Sequence, residues 1–203
     1  MNTSLATTGR TAWAALRMLL VLTVLTGVGY PLAVTGIGQA LFHDQANGSL
    51  VQVDGHEVGS KLIGQSWNLP GTDRPDPQWF QGRPSHSGYD PLSTGSSQLG
   101  ASDPTLVKDV KAAKKRVAAF NGVPESEVPK DAVTGSASAI DPHISPDYAD
   151  IQVRRVAEAN GVSVAQVRKL VDEHTDGRTL GFMGEPHVNV LELNIALREL
   201  AGR

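Results

Sequence analysis

The chain has 203 residues, no cysteine and a formal net charge of −3 at pH 7, with 40% hydrophobic residues. These values exclude a disulfide-stapled scaffold and the basic excess that marks a nucleic-acid binder. They leave enough chain to bury a core without cross-links.

The apolar residues are unevenly placed. Met18 to Phe42 (MLLVLTVLTGVGYPLAVTGIGQALF) holds no ionisable side chain other than a tyrosine. An α-helix rises about 1.5 Å per residue, so roughly 20 residues cross the hydrocarbon of a bilayer. The segment is read as one transmembrane helix, with residues 1–14 as a cytoplasmic N-terminus, 15–38 as the span and 39–203 as an extracytoplasmic domain. Arg10 and Arg17 are the only charged residues before His43, and basic residues flank the cytoplasmic end of a span. A cleaved secretory signal is the competing reading, with Leu32-Ala33-Val34 or Val34-Thr35-Gly36 as the cut. The apolar run overshoots the usual signal length and continues past each of those cuts.

Within the span, Gly29, Ala33, Gly36 and Ala40 recur at spacings of 4, 3 and 4, and Thr26 and Leu22 extend the same face. Small residues let another backbone come close in lipid, where no hydrophobic drive joins helices. Thr26, Gly29, Ala33, Gly36 and Ala40 are therefore the candidate helix-packing residues, although such residues are common in membrane helices anyway. Pro31 removes a hydrogen bond mid-span and is expected to kink the helix.

Beyond Phe42, Val51-Gln52-Val53, Asp54-Gly55 and His56 to Ile63 read as a β-hairpin on a favoured turn dipeptide. Residues 64–103 are rich in turn formers, yet Trp67, Trp79, Phe80 and Tyr89 argue for packing over disorder. Four helices follow. The first has Asp103 as N-cap, Pro104 at its first position, Asn121-Gly122 as terminator, and a buried stripe of Leu106, Val110, Ala113, Val117 and Phe120. The second runs from Ser145-Pro146 to Asn160-Gly161. The third opens with Ser163 and Gln166 in capping-box spacing and buries Val164, Val167, Val171 and His174 before Gly177. The fourth starts at Asn189, with Glu192 three residues on. Thr179 to Met183 is a candidate strand. The expected fold is α+β: one N-terminal transmembrane helix, then one domain with a β-hairpin or small sheet and about four helices. The echo between residues 116–123 and 155–162 is read as two helices using one Asn-Gly stop, not as a repeat.

Chemical motifs are sparse. No lysine follows a glycine to close a phosphate-cradling loop, and no two histidines sit three or four apart on a helix to grip zinc. Asp141 and His143, with His86 and Asp90, form a conceivable metal set, although loop histidines beside prolines are more often structural; neither a metal site nor a catalytic residue is assigned. Ser93, Ser96, Ser97, Ser136 and Ser138 lie in Gly/Ser-rich loops outside any strained nucleophile elbow. An extracytoplasmic hydrolase using these serines with His and Asp is the alternative function. Lys108, Lys111 and Lys115 share a helix face that reads as solvated, since the chain beyond His43 nets −5 (16 basic against 21 acidic).

Three blocks, in order, carry a resemblance. Gly82-Arg83-Pro84-Ser85 with Tyr89 to Gly100 (YDPLSTGSSQLG), Thr134 to Pro146 (TGSASAIDPHISP), and His174 to Asn194 (HTDGRTLGFMGEPHVNVLELN) resemble the KdpC family, the C subunit of the bacterial potassium-transporting Kdp ATPase. The resemblance implies a non-catalytic accessory subunit anchored in the cell inner membrane. Its partners would be a channel-like potassium-translocating subunit and a P-type ATPase subunit, together with membrane lipid and no nucleic acid. It implies a catalytic chaperone that raises the ATP affinity of the hydrolysing subunit. No cofactor of its own is visible; ATP enters only through that partner. A domain outside the membrane could not touch cytoplasmic ATP, so the effect would have to be transmitted between sites.

Overall fold

A computed structural model describes residues 5–202; residues 1–4 and 203, at the ends of the expected cytoplasmic and extracytoplasmic segments, lie outside the described residues. The chain divides into two compact units at Ser49/Leu50.

In the first unit, α1 (Leu5–Val24), a π-helical turn (Leu25–Gly29) and α2 (Tyr30–Leu41) run on without a break, and a short α3 (His43–Ala46) follows. Thr7–Leu41 is long and apolar enough to cross a membrane by length and composition, and the expected span 15–38 falls within it. Pro31 acts on the turn before it. Its ring has no N–H and meets the carbonyl four residues back, so the ladder widens upstream, and Tyr30 N–H donates to Leu25 O. The expected disturbance at Pro31 thus takes the form of a π-turn. Thr26 sits inside that turn, its hydroxyl donating to Leu22 O at 2.7 Å.

The second unit opens with β1 (Leu50–Val53) and β2 (His56–Ser60), paired antiparallel with a register shift after Val51. Asp54 (φ 52°) and Gly55 (φ 77°) both take the left-handed conformation that a two-residue hairpin turn demands. Residues 61–103 contain no regular element, although they carry Phe80, which is completely buried.

Four helices follow where the caps place them. Asp103 accepts from Thr105 N–H at α4 (Pro104–Asn121), and Ser145 accepts from Tyr148 N–H at α5 (Pro146–Asn160). Ser163 and Gln166 form a reciprocal capping box at α6 (Val164–Glu173), and Asn189 accepts from two amides of α7 (Val190–Leu200). Gly122 and Gly161 end α4 and α5 in the left-handed conformation. A three-stranded antiparallel sheet, β3 (His143–Ile144), β4 (Thr175–Asp176) and β5 (His187–Asn189), has the order β3-β5-β4. Val153, Val156, Val167, Val188, Leu193 and Leu197 form the centre of the core between α5, α6, α7 and this sheet. The α+β expectation holds.

Three local expectations do not. The α4 stripe of Leu106, Val110, Ala113, Val117 and Phe120 is half-buried; the fully buried positions are Ala118 and Asn121, in the last turns, where the helix reaches α5. The N-terminal half instead lines an open groove with residues 96–99. Val164 is 43% exposed, and His174 lies beyond α6 as its C-cap, its Nδ1 2.9 Å from Leu170 O. Thr179 to Met183 is a tight turn, not a strand: Thr179 and Met183 exchange both backbone hydrogen bonds, and Leu180 (φ 54°) and Gly181 (φ 81°) reverse the chain. Its apolar residues have no neighbouring strand to pair with.

Candidate functional site

The expected helix-packing residues lie in the first unit. Gly29 precedes α2 as its N-cap residue, and Ala33, Gly36 and Ala40 follow within it, so α-helical spacing puts the four on one face. Thr26 and Gly29 both belong to the wide turn, so the angular phase of Thr26 relative to Ala33, Gly36 and Ala40 is set by π geometry and not by the 3.6-residue period alone. A Cβ added at Gly36 would meet nothing within 4 Å, and one at Gly29 only Val24 O at 3.8 Å. The face is open for another surface.

In the second unit, the blocks singled out from sequence are brought together. Arg83 is the joint. Its Nη1 meets Asp141 Oδ2 at 2.9 Å, while Nε and Nη2 donate to Thr134 O, and Nη2 also to Gly135 O. Tyr89 folds back so that its hydroxyl donates to Arg83 O at 2.5 Å. Burial first, and the nearby Asp141 charge second, push the Tyr89 hydroxyl up to about 12, with Arg83 opposing. Ser85 Oγ donates to Ala139 O and accepts from Tyr89 N–H, and Gly95 N–H donates to Ser138 O. The 82–100 and 134–146 loops are therefore one hydrogen-bonded body.

Two glycines are there because nothing larger fits. A Cβ at Gly64 would stand 2.5 Å from Asp141 O, and one at Gly82 2.5 Å from the Tyr89 hydroxyl.

The third block joins through the sheet. His143 N–H donates to Asp141 Oδ1, and the His143 and His187 rings meet edge to face with centroids 4.4 Å apart. Burial first, then His187, lowers the His143 pKa, with Asp141, Asp176 and Glu192 opposing. Ser145, besides capping α5, donates from both N–H and Oγ to the Asp131 carboxylate.

Underneath, side chains invisible as site candidates in the sequence hold the long loop. Asn194 on α7 accepts from Phe80 N–H and donates to Phe80 O, at 2.9 and 3.0 Å. Gln152 on α5 does the same for Gln81, at 2.7 and 3.1 Å. The two amides thus replace a missing strand beside an otherwise unpaired backbone. Arg155 donates to Pro77 O, Trp79 O, Asn121 Oδ1 and Gln152 Oε1, and its guanidinium lies 4.4 Å from the Phe120 ring centroid. Burial draws its pKa down to about 10, with Tyr148 and Asp76 opposing. The available signal was positional: Gln152 and Arg155 fall on the same side of α5 as the buried Tyr148 and Ala149.

Other candidates are dispersed. Asp141 and His143 come within 3.7 Å, but the Asp141 carboxylate is taken by Arg83. His86 lies against Gly135, and Asp90 accepts from Leu92 N–H. Among the described residues no three His, Asp or Glu side chains converge as a metal site requires. Ser136 and Ser138 pair with each other at 3.2 Å. Lys108, Lys111 and Lys115 are exposed. The three blocks thus form a firm, internally hydrogen-bonded surface.

Comparison with known proteins agrees with the blocks. A family model described as "KdpC: K+-transporting ATPase, c chain" matches residues 12–199. Among relatives named as the KdpC subunit of a potassium-transporting ATPase, one from Streptomyces avermitilis is 56% identical, with 98% of each chain covered. Another from Kineococcus radiotolerans is 48% identical over 99% of this chain and 100% of its own. One from Caldanaerobacter subterraneus is 46% identical over 91% and 92%. The same residues that lock the three loops together are thus part of a match running almost end to end, and the chain belongs to the KdpC family, a subunit of the potassium-transporting ATPase.

Proposed function

We propose that this subunit is a non-catalytic accessory protein. It assembles with a channel-like potassium-translocating subunit and an ATP-hydrolysing P-type subunit, and raises the ATP affinity of the latter as a catalytic chaperone. The near end-to-end family match carries the reading. Two structural observations support it. The apolar helix leaves Gly29, Ala33, Gly36 and Ala40 open along one face, the requirement for close helix approach in lipid. The polar groups of the three blocks are joined to one another, as in a rigid partner-facing surface.

With the N-terminus inside and the domain outside, the effect on ATP is a coupling between sites through the complex rather than a contact. A coupling of about 1–3 kcal/mol corresponds to a 5–150-fold change in affinity. The test is purification from mild detergent, followed by ATPase assays with and without this subunit. Partners should copurify, and the KM for ATP should rise several-fold in its absence. A chain that purifies alone and monodisperse, or a KM indifferent to its presence, would overturn the proposal.

A further inference from the structure

We propose that the open end of the β1–β2 hairpin, through Leu50 and Leu62, seats in the interfacial layer of the bilayer and gives the domain a second hold on lipid. The inference rests on the apolar helix being a membrane span.

The chain leaves that helix by folding back on its end. Phe42, at φ −136° and ψ 48°, breaks the helix after Leu41. A Cβ on Gly38 would stand 3.8 Å from the Ala46 Cβ, and the Gln39 and Asn47 side-chain amides exchange two hydrogen bonds, at 3.3 and 3.0 Å. In an unbroken helix, residues eight apart would be separated by about 12 Å. Gly48 N–H then donates to Gln45 O, and Ser49 N–H to Asp44 O at 2.7 Å. The chain is thus tied back to the end of α2 as far as Ser49. Leu50 follows at once, about 3.8 Å further on from Cα to Cα.

Depth follows from that tether. As a helix, Met18 to Phe42 measures about 37 Å against about 30 Å of hydrocarbon, and each headgroup layer adds about 5–7 Å. The apolar run therefore ends in the headgroup layer, with Gln39 near its inner edge. Asn47 is bonded to Gln39, and three residues of chain reach about 10 Å at most. Leu50 is held at the membrane surface by this reach alone, however the rest of the domain is turned.

The hairpin is polarised along its length to match. Leu50 is 51% exposed and Leu62 60%. Both lie at the open end: Leu50 pairs with Ser60, whose hydroxyl accepts from Leu62 N–H at 3.1 Å. Lys61, between them in sequence, meets Glu192 at 2.6 Å, and its carbonyl accepts from the Asn189 side chain at 2.8 Å. The 60–63 turn is thereby fastened to the domain while Leu62 stays outside the core. The closed end, about 10 Å along the ribbon, carries Asp54, His56 and Glu57, all exposed. Single exposed leucines are ordinary on a protein surface. Two of them where the chain emerges from lipid, with the charged end turned the other way, make an interfacial foot.

The protein has no cysteine, so single nitroxide labels can be placed through Leu50→Cys, Leu62→Cys and His56→Cys, with Val34→Cys inside the span. The sample is the full chain in its assembled complex, in nanodiscs of phosphatidylethanolamine and phosphatidylglycerol. The ratio of collisions with oxygen to collisions with a water-soluble nickel chelate should be several-fold higher for the Leu50 and Leu62 labels than for the His56 label, and highest for Val34. Ratios at Leu50 and Leu62 no greater than at His56, with Val34 in lipid, would overturn this inference alone. An aqueous Val34 label would overturn the span along with it. Leu50 and Leu62 labels shielded from both reagents would put a partner subunit on the site and equally overturn the lipid seat. The wild-type complex supplies a second arm if a variant does not assemble. A phospholipid carrying a photoreactive group at the glycerol level should mark residues 48–64 by mass spectrometry, and adducts confined to the helix would refute the proposal.

Discussion

At the scale of single residues, the domain depends on polar side chains that substitute for secondary structure. Asn194 is 1% exposed and satisfies both backbone groups of Phe80, the largest fully buried side chain. An unpaired buried polar group costs about 1–3 kcal/mol, whereas the net gain from one formed hydrogen bond is nearer 1 kcal/mol. The loss on removal therefore exceeds what the bonds seem worth. Asn194→Leu keeps the volume and strands both groups, so it should lower unfolding stability by about 2–5 kcal/mol. Chemical denaturation followed through Trp67 and Trp79 reads it, and a change within 0.5 kcal/mol would show that the loop is not held this way. None of this was legible from sequence, since an amide in a helix looks like a surface residue until the loop it meets, 114 positions away, is known.

At the scale of elements, caps and turns behaved locally and were readable. Asp103, Ser145, Ser163 and Asn189 cap the helices they were expected to cap, because a cap is a bond between residues two or three apart. The errors came where burial needed a partner. Val164 and the N-terminal half of α4 have apolar spacing but little laid over them, and Thr179–Met183 has strand composition but no strand beside it. The apolar N-terminal helix permits a cleaner test, because its glycines are not needed by the helix itself. Gly29→Leu/Gly36→Leu places larger side chains into open space. Helicity should be unchanged by circular dichroism, while the yield of copurified partner subunits falls several-fold. Undiminished recovery would remove the small-residue face from the account of assembly.

At the scale of the whole molecule, orientation is the hinge of the proposed mechanism. In the proposed orientation, with Arg10 and Arg17 flanking the cytoplasmic end, the domain stands outside, and the proposed influence on ATP has to cross the membrane through partners. Thr94 is exposed in the 82–100 loop and the protein has no native cysteine, so Thr94→Cys gives a single label site. An impermeant maleimide added to intact cells should label it fully; protection until lysis would put the domain in the cytoplasm and allow direct contact with nucleotide.

The sequence by itself determined the apolar helix, the hairpin turn, the helix ends and the three blocks that mark the family, because each rests on interactions spanning a few residues. The tertiary structure alone decided that Arg83 joins the first two blocks through Asp141, and that His143 meets His187 across a sheet of two- and three-residue strands. It also decided that buried amides stand in for strands. Those contacts bring together residues far apart along the chain. Their energy comes from satisfying polar groups that folding removes from water, a need that arises only once the fold has closed over them.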